Sequence, residues 1–423
     1  MADHDTHEPE GLTRRQLLAG AAVAVGGAVL SGLPAALEGQ AAAAPPRPAV
    51  PTDPTKLQGA PTSAVGGRSP FVTPARTPIG ETVGNSLTPL QELSGTITPS
   101  DLHFERHHAG VPLIDPARHE LVIHGLVERP TVFTLEDLQR FPAVTRTHYI
   151  ECSGNGRASY RDPKPDMTPQ KVYGLTANTE WTGVPLAQLF REVGVKPDAQ
   201  WFLAEGGDAC VMTRSVPVAK GWDDAMIVWG QNGEPLRPEQ GYPLRLLLPG
   251  YEGNINVKWL RRLELGTAPW MTRWETAKYT DPLLDGTARA FTLVMDATSI
   301  ITAPAYPRKL SGTGWWPVSG LAWTGRGRIT RVEVSTDGGN RWTDAELHGP
   351  VLPNAHTRFT HMWEWDGRET VLLSRATDET GYVQPTRKEL LAIRGPGTDY
   401  HFNQIKGWRV QPDGTVVFEG GEA

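Results

Sequence analysis

The 423-residue sequence is poor in cysteine, and Cys152 and Cys210 are its only two thiols. Two cysteines are too few to hold an iron–sulfur cluster in the usual four-ligand manner, and no CxxCH sequence is present for haem attachment. They allow at most one disulfide bond, which a chain of this length does not need to stabilise its core. The sequence therefore offers no cysteine-based electron-transfer centre.

An excess of positive charge is also missing. The chain contains 41 Lys and Arg against 47 Asp and Glu, which gives a formal net charge of −6. Nucleic-acid-binding proteins are usually basic, so we expect no nucleic-acid partner. The 14 Trp, 45 Gly and 37 Pro favour a protein of strands and turns over a helical bundle.

Long apolar runs are absent outside the N-terminus. There, the pair Arg14–Arg15 precedes a mildly apolar run rich in Ala and Gly, which ends in small residues at Ala41–Ala44. The glycines and Pro34 make this run weakly hydrophobic for a stable membrane anchor. We therefore predict that residues 1–44 are a cleaved twin-arginine signal peptide, that the chain is exported to the periplasm or extracytoplasmic space, and that no stable membrane span remains afterwards.

The rest of the chain divides into regions that differ in composition and periodicity, and two of them precede residue 286. Residues 45–94 are rich in Pro, Thr, Gly and Ser and lack periodicity, which predicts an extended arm or linker. Residues 95–285 mix short strands, as in "HELVIHGLV" and "THYIE", with short helices, as in "TLEDLQRF" and "PLAQLFREVGV". Because strands and helices do not alternate regularly, we predict an α+β domain.

Residues 286–415 have the pattern of strands alone. The stretch "LAWTGRGRITRVEVSTDGGNRWTDAEL" alternates apolar and polar residues on both sides of "DGG", a hairpin turn signal. This pattern predicts a β-sandwich without the paired cysteines of antibody domains. A sandwich of this kind usually packs against another domain or dimerises.

The stretch "HYIECSGNGR" places Cys152 on a glycine-rich turn, five residues before Arg157. A thiolate is a soft metal ligand and a nucleophile, and a nearby cation lowers its pKa. Glycines also let backbone N–H groups approach a ligand. From the residues alone, three interpretations stay open: a buried apolar cysteine, a disulfide with Cys210, or a reactive or metal-binding thiol.

A second polar stretch, "LHFERHHAGVP" at residues 102–112, is weaker evidence for a ligand-binding site than the turn at Cys152. Arg106 and His108 are two apart, so on an extended segment they face the same side. The HxxxH spacing of helical zinc sites is missing, and no CxxC accompanies it. A solvated turn and a ligand-binding segment both remain open.

Taken in order, "FERHHAGVP", "IECSGNGR", "GYPLRLLLPGYEGNINVKWLRRLEL" and "RWETAKYTDP" resemble the sulfite oxidase family of molybdenum enzymes. The stretches "LHFERHHAG", "MTRSVPV", "GYVQPTRKEL" and "RGPGTDYHFN" are most similar to one branch, the molybdenum subunits of sulfane dehydrogenases. The resemblance covers nearly all of residues 95–411. It implies an α+β fold with a sulfite-oxidase-like molybdopterin-binding domain followed by an immunoglobulin-like β-sandwich dimerisation domain.

The resemblance also implies a site for molybdenum–molybdopterin in which Cys152 is the metal ligand. It implies that Arg106 and Arg157 bind the substrate, that Tyr279 is the active-site tyrosine, and that Arg394 is an arginine contributed by the C-terminal half. The residues implied to contact the cofactor are Phe104, Glu105, Arg106, His107, His108, Cys152, Asp208, Gln240, Arg245, Asn256, Val257 and Lys258.

For the reaction, the resemblance implies the two-electron oxidation of a sulfur compound. Electrons would pass to a SoxD-like c-type cytochrome subunit, and the substrate would be sulfane sulfur on a cysteine of a SoxYZ-like carrier. The chain departs from animal sulfite oxidases because no Trp lies between Cys152 and Trp181, and Gln240 replaces a histidine. The alternatives are a free sulfite dehydrogenase on the same scaffold, and an exported non-enzymatic binding module with a Cys152–Cys210 disulfide.

Overall fold

The computed structural model describes residue 53, residues 58–283 and residues 285–420. The predicted leader, residues 1–44, lies outside these residues. The chain forms two compact units that divide after Thr73. In the first unit, the described residues contain neither helix nor strand. The second unit, from Pro74 onward, contains both predicted domains and every element described below.

Strands dominate the N-terminal part of this second unit. They are β1 (Thr77–Gly80), β2 (Gly84–Leu87), β3 (Glu105–His107), β4 (Glu120–Gly125), β5 (Thr131–Thr134), β6 (Val144–Glu151), β7 (Thr176–Pro185), β8 (Trp201–Gly206), β9 (Thr213–Pro217), β10 (Met226–Gln231), β11 (Glu234–Pro235), β12 (Arg245–Leu247), β13 (Leu260–Gly266), β14 (Asp281–Pro282) and β15 (Ala288–Arg289). The C-terminal strands are β16 (Thr298–Ala303), β17 (Gly314–Trp323), β18 (Ile329–Ser335), β19 (Thr343–Asp344), β20 (Glu346–His348), β21 (Thr357–Trp365), β22 (Thr370–Asp378), β23 (Gly407–Val410) and β24 (Val416–Phe418).

The helices that the structure describes are short. The α-helices are α1 (Leu135–Gln139), α2 (Arg157–Arg161), α3 (Pro169–Tyr173), α4 (Leu186–Val193), α5 (Val218–Asp223), α6 (Arg273–Thr276) and α7 (Arg387–Arg394). The 3-10 turns are Leu90–Glu92, Ser100–Leu102, Pro116–Arg118, Pro238–Gln240 and Gly253–Ile255. Among the described helices, none has both the length and the apolar character needed to cross a membrane.

Two five-stranded sheets form the core of the N-terminal domain. One is antiparallel in the order β11-β10-β7-β6, with β12 paired to β10. The other has the order β5-β4-β13-β8-β9, in which β13 runs parallel to β4. Helix α4 buries Leu186, Leu189, Phe190 and Val193 against this core, at the spacing of one helical face. The mixed, non-alternating order agrees with the predicted α+β class.

Local signals explain why the predicted helices form where they do. The Thr134 side chain and Asp137 form a reciprocal capping box at the start of α1. Helix α4 ends at Gly194, whose φ of +66° is the left-handed conformation that favours glycine at a helix end. The strands expected in "HELVIHGLV" and "THYIE" are β4 and the end of β6.

The segment predicted as an extended arm is partly folded. Strands β1 and β2 pair, and β2 also pairs with β3, which puts Asn85 opposite Arg106. Leu90 is fully buried within the C-terminal core. The prediction of an extended arm is wrong from residue 77 onward: β1 and β2 form a short hairpin that the sequence analysis did not identify, and the pairing of β2 with β3 joins residues about twenty apart. The predicted domain boundaries themselves stay predictions.

The C-terminal domain is the predicted β-sandwich. Its sheets have the orders β16-β17-β21-β20 and β19-β18-β22-β23-β24. The expected hairpin joins β18 to β19, and Gly338 and Gly339 take positive φ in its turn. Trp323, Phe359 and Trp408 are fully buried in the core, so the many tryptophans fill the space between the sheets.

Contacts between the two domains lie close to Cys152, at Glu151 and Tyr173. The indole N–H of Trp323, at the end of β17, donates to the carboxyl group of Glu151 at 2.7 Å. The ammonium group of Lys406 donates to the Tyr173 hydroxyl at 2.7 Å. The C-terminal domain therefore supports the turn that carries the cysteine.

Candidate active site

Cys152 lies where β6 ends. The ladder between β6 and β7 stops at Glu151, and the Cys152 N–H then donates to the Leu175 carbonyl at 3.0 Å. The N–H of Asn155 returns to the Cys152 carbonyl at 2.8 Å, which closes a tight turn. Gly156, with a φ of +82°, leads into α2 at Arg157. The glycine-rich stretch therefore reverses the chain sharply and brings Arg157 back beside the thiol.

Both cysteines are free thiols. The thiol of Cys210 donates to a carboxylate oxygen of Asp208 at 2.8 Å. Burial and that carboxylate raise the pKa of Cys210 to about 12, so its thiol stays protonated. The alternative of a Cys152–Cys210 disulfide is therefore wrong.

A cavity extends from Cys152 into the N-terminal domain. Nearly all of the residues predicted to contact the cofactor line it. They are Phe104, Arg106, His107, His108, Cys152, Asp208, Gln240, Arg245, Asn256, Val257 and Lys258, and Tyr279 lines it as well. Residues far apart in the sequence thus converge on one concave site.

Glu105 is the predicted cofactor residue that does not line this cavity. Its carboxylate bonds to His107 Nε2 at 2.8 Å, and a second oxygen pairs with Arg76. The hydrogen bond from His107 lowers the pKa of Glu105, as does the charge of Arg76. Glu105 therefore orients His107, which lines the cavity, but Glu105 does not line the cavity itself.

Two buried cations form the inner wall of the cavity. The Arg245 guanidinium donates to the carbonyls of Gln240 at 3.0 Å and Asn256 at 3.2 Å, and burial lowers its pKa to about 9. The Lys258 ammonium donates to the Glu239 carbonyl at 2.9 Å, and burial lowers its pKa to about 7. Neither cation forms an ion pair with a described carboxylate. Buried unpaired cations are costly, so this wall is suited to an anionic ligand such as a phosphate.

Unpartnered polar atoms around the same cavity point to a polar ligand. Arg245 Nε, His103 Nε2 and the side-chain oxygen of Asn254 are buried and have no hydrogen-bond partner in the part of the chain that the structure describes. Such groups are rare in folded proteins, since each one loses its hydration without compensation. In those described residues, no cluster of three or more His, Cys, Asp or Glu could hold a metal ion.

These features fit molybdenum–molybdopterin. The thiol of Cys152 is a soft donor of the type that binds such a metal, and it is the one cysteine that faces the inner cavity. The cations Arg245 and Lys258 suit the phosphate of the cofactor, and the unpartnered atoms suit its polar edges.

The protonation of Cys152 depends on two opposing effects. Burial raises the pKa of the thiol, while the Gly154 N–H and the charges of Arg106 and Arg157 act in the opposite direction. Burial is the larger effect, so the arginines alone do not produce a thiolate. A bound metal cation would supply the missing stabilisation, because coordination deprotonates a thiol.

A wider cleft of about 1100 Å³ meets the cavity at Arg106, His108, Cys152 and Tyr279. Its wall carries mostly cations: Arg106, Arg157, Arg161, Lys164, Lys171, Arg273 and Lys278, against Asp162 and Asp166. A concave surface of one sign concentrates ions of the other sign. An anion is therefore drawn toward Cys152, although the whole chain is acidic.

Arg157 and Tyr279 both line this cleft. The Arg157 Nε and one Nη donate to the Asp399 carbonyl at 3.1 and 2.6 Å, and its other Nη bonds to no described residue. Tyr279 has a φ of +54°, a strained conformation for a tyrosine. Such strain persists where the surroundings hold the residue, and it is often found at functional sites.

His108 orients the hydroxyl of Tyr279. Burial and the charge of Arg106 lower the pKa of His108 to about 4, so the ring is neutral. Its Nδ1 lies 3.4 Å from Arg106 and can only accept there, so Nε2 carries the proton. That proton is donated to the Tyr279 oxygen at 2.8 Å, and the tyrosine O–H stays available as a donor.

Arg394 does not reach the site. Its guanidinium is buried in ion pairs with Asp296 at 3.2 Å and Asp281 at 3.9 Å, and it lines neither the cavity nor the cleft. The predicted catalytic role of Arg394 is therefore not supported. The C-terminal domain instead brings Asp399 and Tyr400 to the cleft.

Two residues of the site were not singled out from the sequence. Arg214, with only 1 % of its area exposed, lies over the Tyr279 ring at 5.1 Å and pairs with Glu252 at 3.3 Å. The Tyr400 ring packs at a tilt against the Tyr279 ring, with ring centroids 5.2 Å apart. Both lie in stretches that carry the family resemblance, "MTRSVPV" and "RGPGTDYHFN". Their position in these stretches is the sequence feature that could have identified them as site residues.

Comparison with known families gives two matches along the chain. Residues 108–274 match the oxidoreductase molybdopterin-binding domain, and residues 289–407 match the Mo-co oxidoreductase dimerisation domain. The two matches follow the two domains of the structure. The chain is thereby identified as a molybdopterin-binding oxidoreductase, and most residues that line the cavity at Cys152 lie within the first match.

Known proteins similar to the chain extend the comparison. The crystal structure of the sulfane dehydrogenase SoxCD from Paracoccus pantotrophus superposes with a TM-score of 0.83 and 45% identity, over 86% of this chain and 97% of that chain. Mitochondrial sulfite oxidase of Drosophila melanogaster is 30% identical over 73% of this chain and 59% of its own length. Nitrate reductase (NADH) of Ulva prolifera is 31% identical over 76% and 42%, respectively. The chain thus spans about half the length of these two relatives, and it belongs to the sulfite oxidase family of molybdopterin oxidoreductases.

Proposed function

We propose that this chain is the molybdenum subunit of a sulfane dehydrogenase in a Sox thiosulfate-oxidation system. It oxidises sulfane sulfur bound to a cysteine of a SoxYZ-like carrier and passes the electrons to a SoxD-like c-type cytochrome. The observation that carries the proposal is the 45% identity to the SoxCD chain over 97% of that chain's length. The twin-arginine pair Arg14–Arg15 supports a periplasmic location, and the C-terminal sandwich supports a homodimer.

The residues of the site have distinct roles in this reaction. When bound, the cofactor supplies two-electron oxidation of sulfur with transfer of an oxygen atom. Cys152 would hold the metal at the junction of the cavity and the cleft. The free Nη of Arg157 and the guanidinium of Arg106 would bind the sulfur–oxygen group that forms during oxidation, because forked donors suit such groups. The available O–H of Tyr279 would donate a hydrogen bond to an oxygen of that group.

The width of the cleft favours a substrate carried by a protein. The loop after Cys152 contains no Trp before Trp181, and the cleft of about 1100 Å³ leaves room for a carrier segment. Free sulfite remains the second candidate, because the same cationic wall attracts a small oxyanion. The third candidate, a non-enzymatic module, loses its main feature because both cysteines are free.

A direct comparison of substrates tests the proposal. The purified, molybdenum-loaded chain with its cytochrome is given either free sulfite or a persulfidated carrier, and kcat/KM is measured for both. We expect the carrier-bound sulfur to be oxidised faster. Faster oxidation of free sulfite would replace the proposal with the second candidate, and oxidation of neither would refute both.

The role of Cys152 is tested with the other cysteine as its control. Serine replaces a soft thiolate with a hard, weakly acidic hydroxyl, so Cys152→Ser should lose turnover while the protein stays folded. Cys210→Ser keeps a donor for Asp208 and should retain both molybdenum and activity. Molybdenum content, circular dichroism and turnover are measured for both variants. Full activity in Cys152→Ser would refute the ligand assignment.

A further inference from the structure

A short segment of the C-terminal domain, Thr398–Tyr400, reaches into the cleft beside Cys152. The Asp399 N–H donates to Asp281 at 2.8 Å, and the Thr398 hydroxyl donates to the same carboxylate oxygen at 3.1 Å. The Asp399 carboxylate also pairs with Arg161. The segment is therefore fixed to the N-terminal domain at two points.

Tyr400 contacts Tyr279 through both its ring and its hydroxyl. The Tyr400 hydroxyl oxygen accepts the backbone N–H of Tyr279 at 3.1 Å, and the two rings lie 5.2 Å apart. Because Tyr279 has a positive φ of 54°, its backbone needs external support to stay in this conformation. Tyr400 provides that support on the side of the cleft.

Tyr400 also contacts Arg157. The guanidinium carbon lies 5.2 Å from the centre of the Tyr400 ring, within the range of a cation–π interaction. The same guanidinium uses two nitrogens for the carbonyl of Asp399, the residue before Tyr400. One segment therefore fixes the plane of the arginine and leaves its remaining Nη for a ligand.

We propose that Tyr400 is a positioning residue, which fixes Arg157 and Tyr279 in the orientation that binds the oxyanion formed as the carrier-bound sulfur is oxidised. The inference rests on the proposed function, since it names a residue that prepares the same site. Its contacts are separable: the hydroxyl alone bonds to the Tyr279 N–H, whereas the ring contacts Arg157 and Tyr279. Arg157 then governs anion affinity, and Tyr279 governs turnover.

Two substitutions separate these contacts. Tyr400→Phe keeps the ring and removes the hydroxyl that accepts the Tyr279 N–H, so kcat should fall about three- to tenfold with a small change in sulfate affinity. Tyr400→Leu removes both contacts, so the sulfate dissociation constant should also rise about threefold or more. Sulfate affinity of the molybdenum-loaded protein is measured by calorimetry, and kcat and KM with whichever substrate the wild type oxidises faster.

Tyr382→Phe is the matched control. The Tyr382 hydroxyl accepts one hydrogen bond, from Asn403 at 3.1 Å, and lines neither the cavity nor the cleft. This variant should match the wild type in sulfate affinity and kcat. If both Tyr400 variants behave like Tyr382→Phe, the positioning role is refuted while the proposed function stands.

The two failures are distinguishable. If the loaded wild type binds sulfate but oxidises no sulfur compound, the proposed function fails, and the sulfate affinity of Tyr400→Leu still decides the inference. If the wild type does not bind sulfate, the role of Arg157 as an oxyanion ligand is wrong and the inference falls with it. If Tyr400→Leu does not fold, the kcat of Tyr400→Phe decides.

Discussion

Gly156 offers the sharpest test of the turn that carries Cys152. Its φ is +82°, and a Cβ at this position would lie 2.8 Å from a ring carbon of Tyr173. The same Cβ would lie 3.1 Å from the Phe402 carbonyl oxygen and 3.2 Å from the Phe402 Cβ. Gly156→Ala therefore meets two obstacles, a left-handed backbone and a filled space.

The two obstacles have comparable magnitudes. A left-handed conformation costs a residue other than glycine about 1–2 kcal/mol. Insertion of a methyl group into a packed contact costs about 1–3 kcal/mol more. We expect Gly156→Ala to lower the free energy of unfolding by about 2–5 kcal/mol in total. Gly233 is the matched control, because it has a φ of +78° and nothing within 4 Å of the added Cβ. Gly233→Ala should lose only the first contribution, about 1–2 kcal/mol.

The assay is urea unfolding of both variants beside the wild type, with molybdenum content measured on the same samples. Because Gly156 lies between Cys152 and Arg157, movement of the turn should also reduce the molybdenum content of Gly156→Ala, whereas Gly233→Ala should keep the wild-type content. Equal destabilisation of the two variants, with equal molybdenum content, would show that the close approach to Tyr173 contributes nothing.

Three further predictions concern buried groups. Burial alone would raise the pKa of Glu252, but the hydrogen bond from His401 and a neighbouring guanidinium lower it to about 2, from 4.5. This stabilisation is present above pH 4.5 and is lost as the pH falls toward 2. In Glu252→Gln, the free energy of unfolding should therefore decrease less between pH 4.5 and pH 2 than in the wild type, as measured by urea unfolding at several pH values. Burial lowers the pKa of Lys258 to about 7, from 10.5. Between pH 7 and pH 10.5 the unfolded chain therefore binds more protons than the folded protein, so the free energy of unfolding of the cofactor-free protein should increase as the pH rises through this range. Lys258→Met should abolish that gain in melting temperature. Trp323→Phe removes the indole donor to the buried Glu151 carboxyl and should cost about 1–3 kcal/mol in urea unfolding; no loss would mean that the hydrogen bond contributes little.

Much of the fold could be predicted because the signals are local. The stretches "HELVIHGLV" and "THYIE" predicted β4 and the end of β6, and the stretch "TLEDLQRF", which begins with the capping residue Thr134, predicted α1. The folded part of the predicted arm was missed because its stability comes from elsewhere. Strand β2 is held by β3, and Leu90 is buried by the distant sandwich domain. Neither partner lies within the reach of a sequence window.

The residues of the candidate site also differ in how far the sequence could predict them. The residues predicted to contact the cofactor lie in short stretches such as Phe104–His108, and most of them line one cavity, but their contact with the cofactor stays a prediction. Arg394 was misplaced because its direction depends on packing, and two nearby carboxylates, Asp281 and Asp296, hold it away from the cleft. Tyr400 was missed for the converse reason, since its contacts with Arg157 exist only once the two domains meet.

The electrostatics of the cavity explain why cofactor and fold depend on each other. Without a ligand, the cavity buries Arg245 and Lys258 with no carboxylate partner, and burial keeps the Cys152 thiol protonated. The two buried cations are unfavourable for the folded protein, whereas a buried neutral thiol is not. An anionic group that carries a metal would pair with the cations, and its metal would stabilise the Cys152 thiolate. A group that binds only the folded state also shifts the folding equilibrium toward that state. Loading with the cofactor should therefore raise the free energy of unfolding of the protein.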